Sequence, residues 1–339
     1  MKKMPIIPNI APIWQSQSWQ NLLANAFNNS DELLAALALD KNDLDVSAAA
    51  AADFPLRVPA SYVAKMCSGD PNDPLLKQVL PLGAEMKLVE GFNPDPLEEN
   101  ASNPLPGIVH KYHGRVLLIT SGACAINCRY CFRRHFPYDD NNPSLAEWEQ
   151  SLDYITARPD IDEVILSGGD PLAASDKYLA RLVAKIASIK QVKRLRIHSR
   201  LPVVIPQRIT DDTLAWMDTE RFDIAFVVHA NHPNELDAHT HQAFQKLRNH
   251  GVTLLNQSVL LAGINDDTAC LTSLSKKLFS QGVLPYYMHA LDKVAGAAHF
   301  DVPREHARAL AAELLIMLPG YLVPKFVYTQ AGAAHKLSV

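Results

Sequence analysis

The sequence has few cysteines, no long hydrophobic run and no concentration of basic charge. Its 339 residues include five cysteines, an odd number that, with no sign of secretion, argues against a disulfide framework. No stretch approaches the ~20 apolar residues of a membrane span, and Pro5 and Pro8 interrupt the N-terminus before a signal-peptide core could form. The net charge of −4 is spread over interspersed acids and bases. We therefore expect a soluble protein that has neither nucleic acid nor a membrane as a partner.

Three of the cysteines lie close together, in the segment Cys124-Ala-Ile-Asn-Cys128-Arg-Tyr-Cys131. Three thiolates at this spacing can hold a metal centre, but they leave one position of a four-ligand shell unfilled. A zinc site completed by one further ligand is an alternative, and a purely structural role for the thiols is another. Cys67 and Cys270 are both far away in the sequence.

The chain divides near residue 100. Residues 14–52 have a helical pattern, in which Asn29 can cap a helix that starts at Ser30, and the alanine run at 48–52 is typical of a helix end. Residues 53–106 are rich in proline, aspartate and asparagine, which indicates an extended segment with many turns. We predict an N-terminal helical and extended segment (1–103) that wraps a core (104–320), followed by a C-terminal segment (321–339).

After residue 110, short apolar runs alternate with amphipathic stretches. The predicted strands are 116–120, 163–167, 195–198, 224–229, 253–258 and 284–289. The predicted helices are 145–157, 176–189, 211–218, 235–249, 267–281 and 304–318. Apolar strands that alternate with helices indicate a parallel sheet covered by helices. Since a closed barrel needs eight such units, we predict an α/β fold of the partial (β/α)6 barrel type.

Unusual polar residues follow each predicted strand, at the edge where barrel enzymes build their sites. This distribution predicts an enzyme. The Gly168-Gly169-Asp170-Pro171 segment alone could be a plain turn. His229 and His232 could hold a metal, although no carboxylate at facial-triad spacing supports a metal site. The polar segments are the cysteine segment, 167–171, 198–200, 229–235, 256–258 and 289–293.

The Cys-x-x-x-Cys-x-aromatic-Cys pattern, in which Tyr130 is the aromatic residue, resembles that of radical S-adenosylmethionine (radical SAM) enzymes. The resemblance implies that the three thiolates bind three irons of a [4Fe–4S] cluster while S-adenosylmethionine chelates the fourth and is cleaved to a 5′-deoxyadenosyl radical. Such a cluster favours a reducing, cytoplasmic location. The resemblance also implies a set of residues that contact S-adenosylmethionine: Ser167, Gly168, Gly169, Asp170, Ser199, His229 and Gln257.

A closer resemblance runs collinearly from about Pro104 to Lys336. The segments that are similar to lysine 2,3-aminomutases are 104–115, 124–134, 166–172, 199–208, 229–235, 256–265 and 285–292. This resemblance implies that pyridoxal phosphate is a cofactor and that Lys336 forms a Schiff base with its aldehyde. Arg115 would bind the phosphate of that cofactor, with Tyr112 nearby. Without the resemblance, Lys336 would be assigned to a solvated tail.

The same resemblance implies a substrate site. Arg133 would hold the substrate carboxylate through a bidentate pair, and Asp292 would bind the distal ammonium of lysine. Thr329 stands where the family has a second aspartate, so selectivity for lysine should be weaker and another amino acid stays open as the substrate. The family's cysteine-containing tail that binds zinc between subunits has no counterpart here, so no structural zinc is expected.

Together, these expectations predict a radical-mediated reaction in which nitrogen migrates from Cα to Cβ and L-lysine is converted to β-lysine. A low-potential electron donor is needed to reduce the cluster. The short C-terminal region resembles the bacterial branch that makes (R)-β-lysine for modification of translation elongation factor P. Two alternatives remain open: a radical SAM enzyme without pyridoxal phosphate, in which Lys336 is only a tail residue, and a non-enzymatic zinc or iron–sulfur module.

Overall fold

The N-terminal part of the chain consists of short helices and turns. The structure is a computed structural model that describes residues 14–138, 141 and 148–339. Its first helices are α1 (Trp19–Ala24), α2 (Ser30–Ala36), α3 (Ala48–Asp53) and α4 (Ala60–Val63). The side chain of Asn29 accepts hydrogen bonds from the first turn of α2, as its sequence position predicted.

The alanine run forms the whole of α3 and not the end of a longer helix. Ser47 caps its first turn, and Pro55 restricts the residue before it to extended backbone, which ends the helix at Asp53. Between α4 and residue 107 the chain contains 3-10 turns and isolated bridges. This agrees with the extended, turn-rich segment predicted from the sequence, except that α4 was not foreseen.

Nine strands form a single sheet in which chain order and spatial order are the same. Strands β2 to β8 run parallel, while β1 and β9 lie antiparallel at the two ends, so the sheet does not close. The strands are β1 (Ile108–Tyr112), β2 (Arg115–Ser121), β3 (Glu163–Gly168), β4 (Arg194–Ser199), β5 (Asp223–His229), β6 (Thr253–Val259), β7 (Leu284–His289), β8 (Lys325–Tyr328) and β9 (Leu337–Ser338). The six predicted strands are confirmed as β2 to β7, and β1, β8 and β9 are additional.

Helices follow the parallel strands, which confirms the partial (β/α)6 barrel. The helices of the core are α5 (Trp148–Thr156), α6 (Asp176–Ala187), α7 (Leu201–Val204), α8 (Asp211–Ala215), α9 (Ala238–Asn249), α10 (Thr268–Ser280) and α11 (Arg304–Met317). Residues 145–147 of the predicted helix 145–157 lie outside the described residues. Helix α9 starts later than predicted because Pro233–Glu235 forms a 3-10 turn and Asp237 is the cap. In the described part of the chain, no helix combines the length and apolar character needed to cross a bilayer.

The two faces of the sheet differ in polarity. Apolar residues such as Val116, Leu166 and Phe226 belong to the main hydrophobic cluster, which also contains residues of the surrounding helices. Because side chains alternate along a strand, the opposite, inner face carries Arg115, Arg196 and other polar residues. Strands β8 and β9 extend this same sheet, and the proposed boundaries at residues 103 and 320 stay predictions.

Candidate active site

The cysteine loop follows β2 and is held by the N-terminal segment. The backbone N–H of Asn127 donates to the carbonyl of Arg57 at 3.0 Å, and that of Arg129 donates to the carbonyl of Gln78 at 2.9 Å. The Arg129 guanidinium is fully buried and pairs with Glu85 at 2.6 Å. The extended segment therefore forms part of the site, since it fixes the backbone that carries the thiols.

The environment of the three thiols suits a polynuclear centre. Burial raises the pKa of Cys124 and raises that of Cys131 to about 11, so these thiols keep their protons until a cation replaces them. Across the described residues, no three Cys, His, Asp or Glu side chains converge as ligands of one metal ion. The three thiols lie on one short loop, and in an iron–sulfur cluster each thiolate would bind a different iron.

The glycine pair after β3 lies directly against the cysteine loop. A Cβ on Gly168 would be 2.5 Å from the carbonyl oxygen of Ser121, and one on Gly169 would be 2.6 Å from that of Ala123. Gly168 also has a φ of +119°, which disfavours other residues. The segment is thus more than a plain turn, because its backbone and the loop's backbone are in contact.

Asp170 connects the loops that follow β3 and β4. Its carboxylate accepts hydrogen bonds from the Ser199 hydroxyl at 2.7 Å and from the backbone N–H groups of Leu172, Arg200 and Leu201. Burial raises its pKa to about 6 despite these bonds. Two residues that the resemblance assigned to S-adenosylmethionine therefore contact each other.

Neutral histidines line the inner face at the ends of β4, β5 and β7. His229 Nε2 lies 3.0 Å from Gln257 Nε2, and burial lowers the pKa of His229 to about 3. The Nε2 atoms of His198 and His289 are buried and have no hydrogen-bond partner among the residues that the structure describes. Unsatisfied buried polar atoms in a site point to a bound polar group, so this face fits a cofactor. His198 and His289 lie in two of the predicted polar segments, but no individual role was predicted for them. His232 caps a 3-10 turn instead.

Lys336 is half-buried, unlike a tail residue. The pairing of Leu337 with Tyr328 in the β8–β9 hairpin brings it back to the sheet. Its Nζ donates to the Thr329 hydroxyl at 3.3 Å and lies 5.8 Å from the centre of the Tyr287 ring. Burial lowers the pKa of Lys336 to about 8, against the opposing effect of the Asp292 carboxylate. Thr329, for which the resemblance implied an aspartate in the family, is therefore a partner of this lysine.

Asp292 lies beyond the end of β7, near Lys336. Burial raises its pKa to about 6, and the Lys336 ammonium opposes that shift. In the described part of the chain, no cation lies within ion-pair distance of its carboxylate. A carboxylate that has no ion-pair partner among the described residues can bind a cationic group of a ligand.

Arg133 is already paired within the chain. Its Nε and Nη2 donate to the two oxygens of Glu99 at 2.6 and 3.1 Å, and its Nη1 donates to the Gly168 carbonyl at 3.2 Å. Lys111 is 3.3 Å from the same carboxylate. A substrate carboxylate at Arg133 must therefore replace or share Glu99. Glu99 and Lys111 were missed because nothing in their local sequence distinguishes them.

Arg115 begins β2 and Tyr112 ends β1, so both lie at the opposite end of strand β2 from the cysteine loop. They face each other across the β1–β2 turn, with the guanidinium carbon of Arg115 4.7 Å from the centre of the Tyr112 ring. Both residues are partly exposed. The Arg115 charge contributes to the lowered pKa of Lys336, and a guanidinium suits a phosphate group.

Comparisons with known proteins show which family the chain resembles. The profile of the Radical SAM superfamily matches residues 118–270. The chain is 49% identical over 333 residues to the L-lysine 2,3-aminomutase of Haemophilus influenzae, covering 98% of both chains. It is 48% identical over 321 residues to that of Escherichia coli, with 94% of each covered. For the L-lysine 2,3-aminomutase of Clostridium subterminale, the identity is 35% over 327 residues, which are 96% of this chain and 78% of that one.

The alignments with the first two relatives cover 98% and 94% of this chain. The chain therefore belongs to the L-lysine 2,3-aminomutase family of the Radical SAM superfamily.

Proposed function

We propose that this protein converts L-lysine to β-lysine by moving the α-amino group to Cβ. The observation that carries the proposal is the pair formed by Lys336 and Asp292, a half-buried amine of lowered pKa with an unpaired carboxylate close by. The Lys336 amine can act as the nucleophile that holds an aldehyde cofactor, and the Asp292 carboxylate can bind the distal ammonium of lysine. Relatives that cover nearly the whole chain carry the name of this activity.

The lowered pKa gives Lys336 a specific chemical advantage. With a pKa of about 8, about a quarter of the amine is neutral at pH 7.5, whereas an ordinary lysine of pKa about 10.4 is about 0.1% neutral there. Only the neutral amine attacks a carbonyl. Burial thus raises the reactive fraction about 200-fold.

Each of the other residues would hold a reactant in place. When bound, the cluster with S-adenosylmethionine supplies a radical initiator and pyridoxal phosphate supplies the aldehyde that carries the substrate amine. Arg133 would orient the substrate carboxylate once some of its hydrogen bonds to Glu99 are broken. The neutral histidines can donate or accept hydrogen bonds without adding charge to the cavity. The sheet and the N-terminal segment would exclude water from the radical.

We further propose that the product is (R)-β-lysine and that it serves the modification of translation elongation factor P. The chain is more similar to the relatives from Haemophilus influenzae and Escherichia coli than to that from Clostridium subterminale, and the link to elongation factor P rests on the resemblance stated in the sequence analysis. The reaction would take place in the reducing cytoplasm with a low-potential electron donor. Chiral chromatography of the product tests the stereochemistry.

An anaerobic turnover assay tests the proposal. Protein reconstituted with iron and sulfide is mixed with L-lysine, S-adenosylmethionine, pyridoxal phosphate and a strong reductant, and β-lysine is measured by chromatography. We expect β-lysine in the complete mixture and none when either cofactor is omitted.

Two outcomes contradict different parts of the proposal. Cleavage to 5′-deoxyadenosine without β-lysine would leave the radical chemistry intact and refute lysine as the substrate or Lys336 as the cofactor ligand. Protein that binds zinc and no iron after anaerobic purification would instead support the non-enzymatic module.

A further inference from the structure

We propose that Arg200 is a positioning residue that sets the reduction potential of the cluster through a hydrogen bond to Cys128. This inference rests on the proposed function, since it assumes that the three cysteines hold an iron–sulfur cluster. It concerns a residue in the loop that follows β4, within the predicted polar segment 198–200, to which the sequence assigned no role.

The contact is direct and buried. Arg200 Nη1 lies 2.6 Å from Cys128 Sγ and 2.7 Å from the Tyr130 hydroxyl, and the arginine is 6% exposed. None of the described side chains donates a hydrogen bond to the sulfur of Cys124 or Cys131. Arg133 and Arg134 also act electrostatically on Cys131, but among the described residues only Cys128 receives a direct hydrogen bond from a guanidinium.

Other side chains hold the guanidinium against that sulfur. Its Nη2 donates to Gln78 Oε1 at 2.7 Å, to Glu235 Oε2 at 2.8 Å and to the Tyr62 hydroxyl at 3.1 Å. Tyr62 and Gln78 come from the N-terminal segment, and Glu235 follows β5. Since three side chains from two separate parts of the chain fix the group, it cannot turn away without breaking several buried contacts.

Glu235 balances the charge of Arg200. It is fully buried, and burial alone raises its pKa, but the Arg200 guanidinium brings that pKa below its usual range. Its second oxygen accepts from the backbone N–H groups of Asn231 at 2.8 Å and His232 at 3.1 Å. The carboxylate therefore moderates the positive charge that Cys128 experiences.

A charged donor at a cluster sulfur favours the reduced state. Reduction by an external low-potential donor adds one electron to the cluster, and the added negative charge strengthens the hydrogen bond from Arg200. Hydrogen bonds to the sulfurs are among the factors that set cluster potentials. Arg200 should thus raise the potential and make the first electron transfer easier, whereas Glu235 should lower it.

The test is a redox titration of reconstituted protein, followed by the electron paramagnetic resonance signal of the reduced cluster without S-adenosylmethionine. At the midpoint of the wild type, the ratio of reduced to oxidised cluster in R200Q should be about tenfold lower, which corresponds to a shift of about −59 mV. E235Q should shift in the opposite direction. R200K, which keeps the charge, should lie between R200Q and the wild type.

Two further variants keep the test decisive. R200Q leaves Glu235 buried without a counter-charge and can fail to fold. The double variant R200Q/E235Q removes both charges, and its midpoint potential should still be lower than that of E235Q. R208K is the matched control, because Arg208 is fully buried and paired with Asp176 at 2.9 Å but contacts no thiol; its potential should equal that of the wild type.

The results separate this inference from the proposed function. Wild-type protein that takes up no iron would overturn the assignment of the cysteines. Arg200 variants with a full iron content and an unchanged midpoint would overturn only the role of Arg200.

Discussion

Replacement of Gly169 by alanine should damage the cysteine loop through a backbone clash. The added Cβ would lie 2.6 Å from the carbonyl oxygen of Ala123, 2.9 Å from its carbonyl carbon and 3.0 Å from that of Gly122. All three are backbone atoms, so no side chain can rotate to make room. Gly169 N–H also donates to the Ser121 carbonyl at 2.7 Å, which ties the two segments together.

Overpacking of this kind costs about 1–3 kcal/mol. We therefore expect G169A to lower the free energy of unfolding in urea by that amount and to take up less iron during anaerobic reconstitution, because Ala123 adjoins Cys124. G320A is the control, since a Cβ there meets nothing within 4 Å and its effect should stay within about 1 kcal/mol. Equal stability and equal iron content for the two variants would refute the contact between glycine pair and cysteine loop as described.

Three further predictions concern charged groups in the site. D292N should raise the KM for L-lysine about tenfold to a hundredfold, because a charge-assisted hydrogen bond is worth about 1.5–3 kcal/mol, whereas D223N, at the exposed start of β5, should leave the KM unchanged. Since the pKa of Asp292 is about 6, the wild-type KM should also rise as the pH falls below 6. Steady-state kinetics in which D292N shows the same rise would contradict this role of Asp292. K336A should lose the visible absorbance of bound pyridoxal phosphate while K325A, a change at an exposed lysine, keeps it. E99Q should lower the free energy of unfolding in urea by about 3 kcal/mol, because it leaves a buried guanidinium without its carboxylate; a change under 1 kcal/mol would contradict the buried pair.

The core of the fold could be predicted because its signals are local. Strands β2 to β7 are short apolar runs followed by polar residues, and each of their predicted ends lies within one residue of the observed end. Strands β8 and β9 have four and two residues, which is too short for a periodic pattern. Their pairing depends on contacts with a strand far away in the sequence, so it could not be read locally.

The site could be predicted only where the residue types and their spacing in the sequence indicate a particular chemistry. The cysteine triplet and the glycine pair have recognisable spacing, and the structure brings them into contact. The environment of Lys336 depends on the β8–β9 hairpin, which explains why its sequence alone suggests a solvated tail. The network around Arg200 joins residues up to 138 positions apart, and no local pattern records such a network.

The most direct measurement of the central claim follows the migrating nitrogen itself. L-Lysine labelled with ¹⁵N at the α-amine is converted anaerobically by the reconstituted enzyme in a buffer that contains unlabelled ammonium, and the product is examined by ¹⁵N and ¹³C NMR. Intramolecular migration predicts β-lysine with ¹⁵N bonded to C3 and no dilution of the label. Recovery of labelled L-lysine alone, or of β-lysine without the label, would contradict the account.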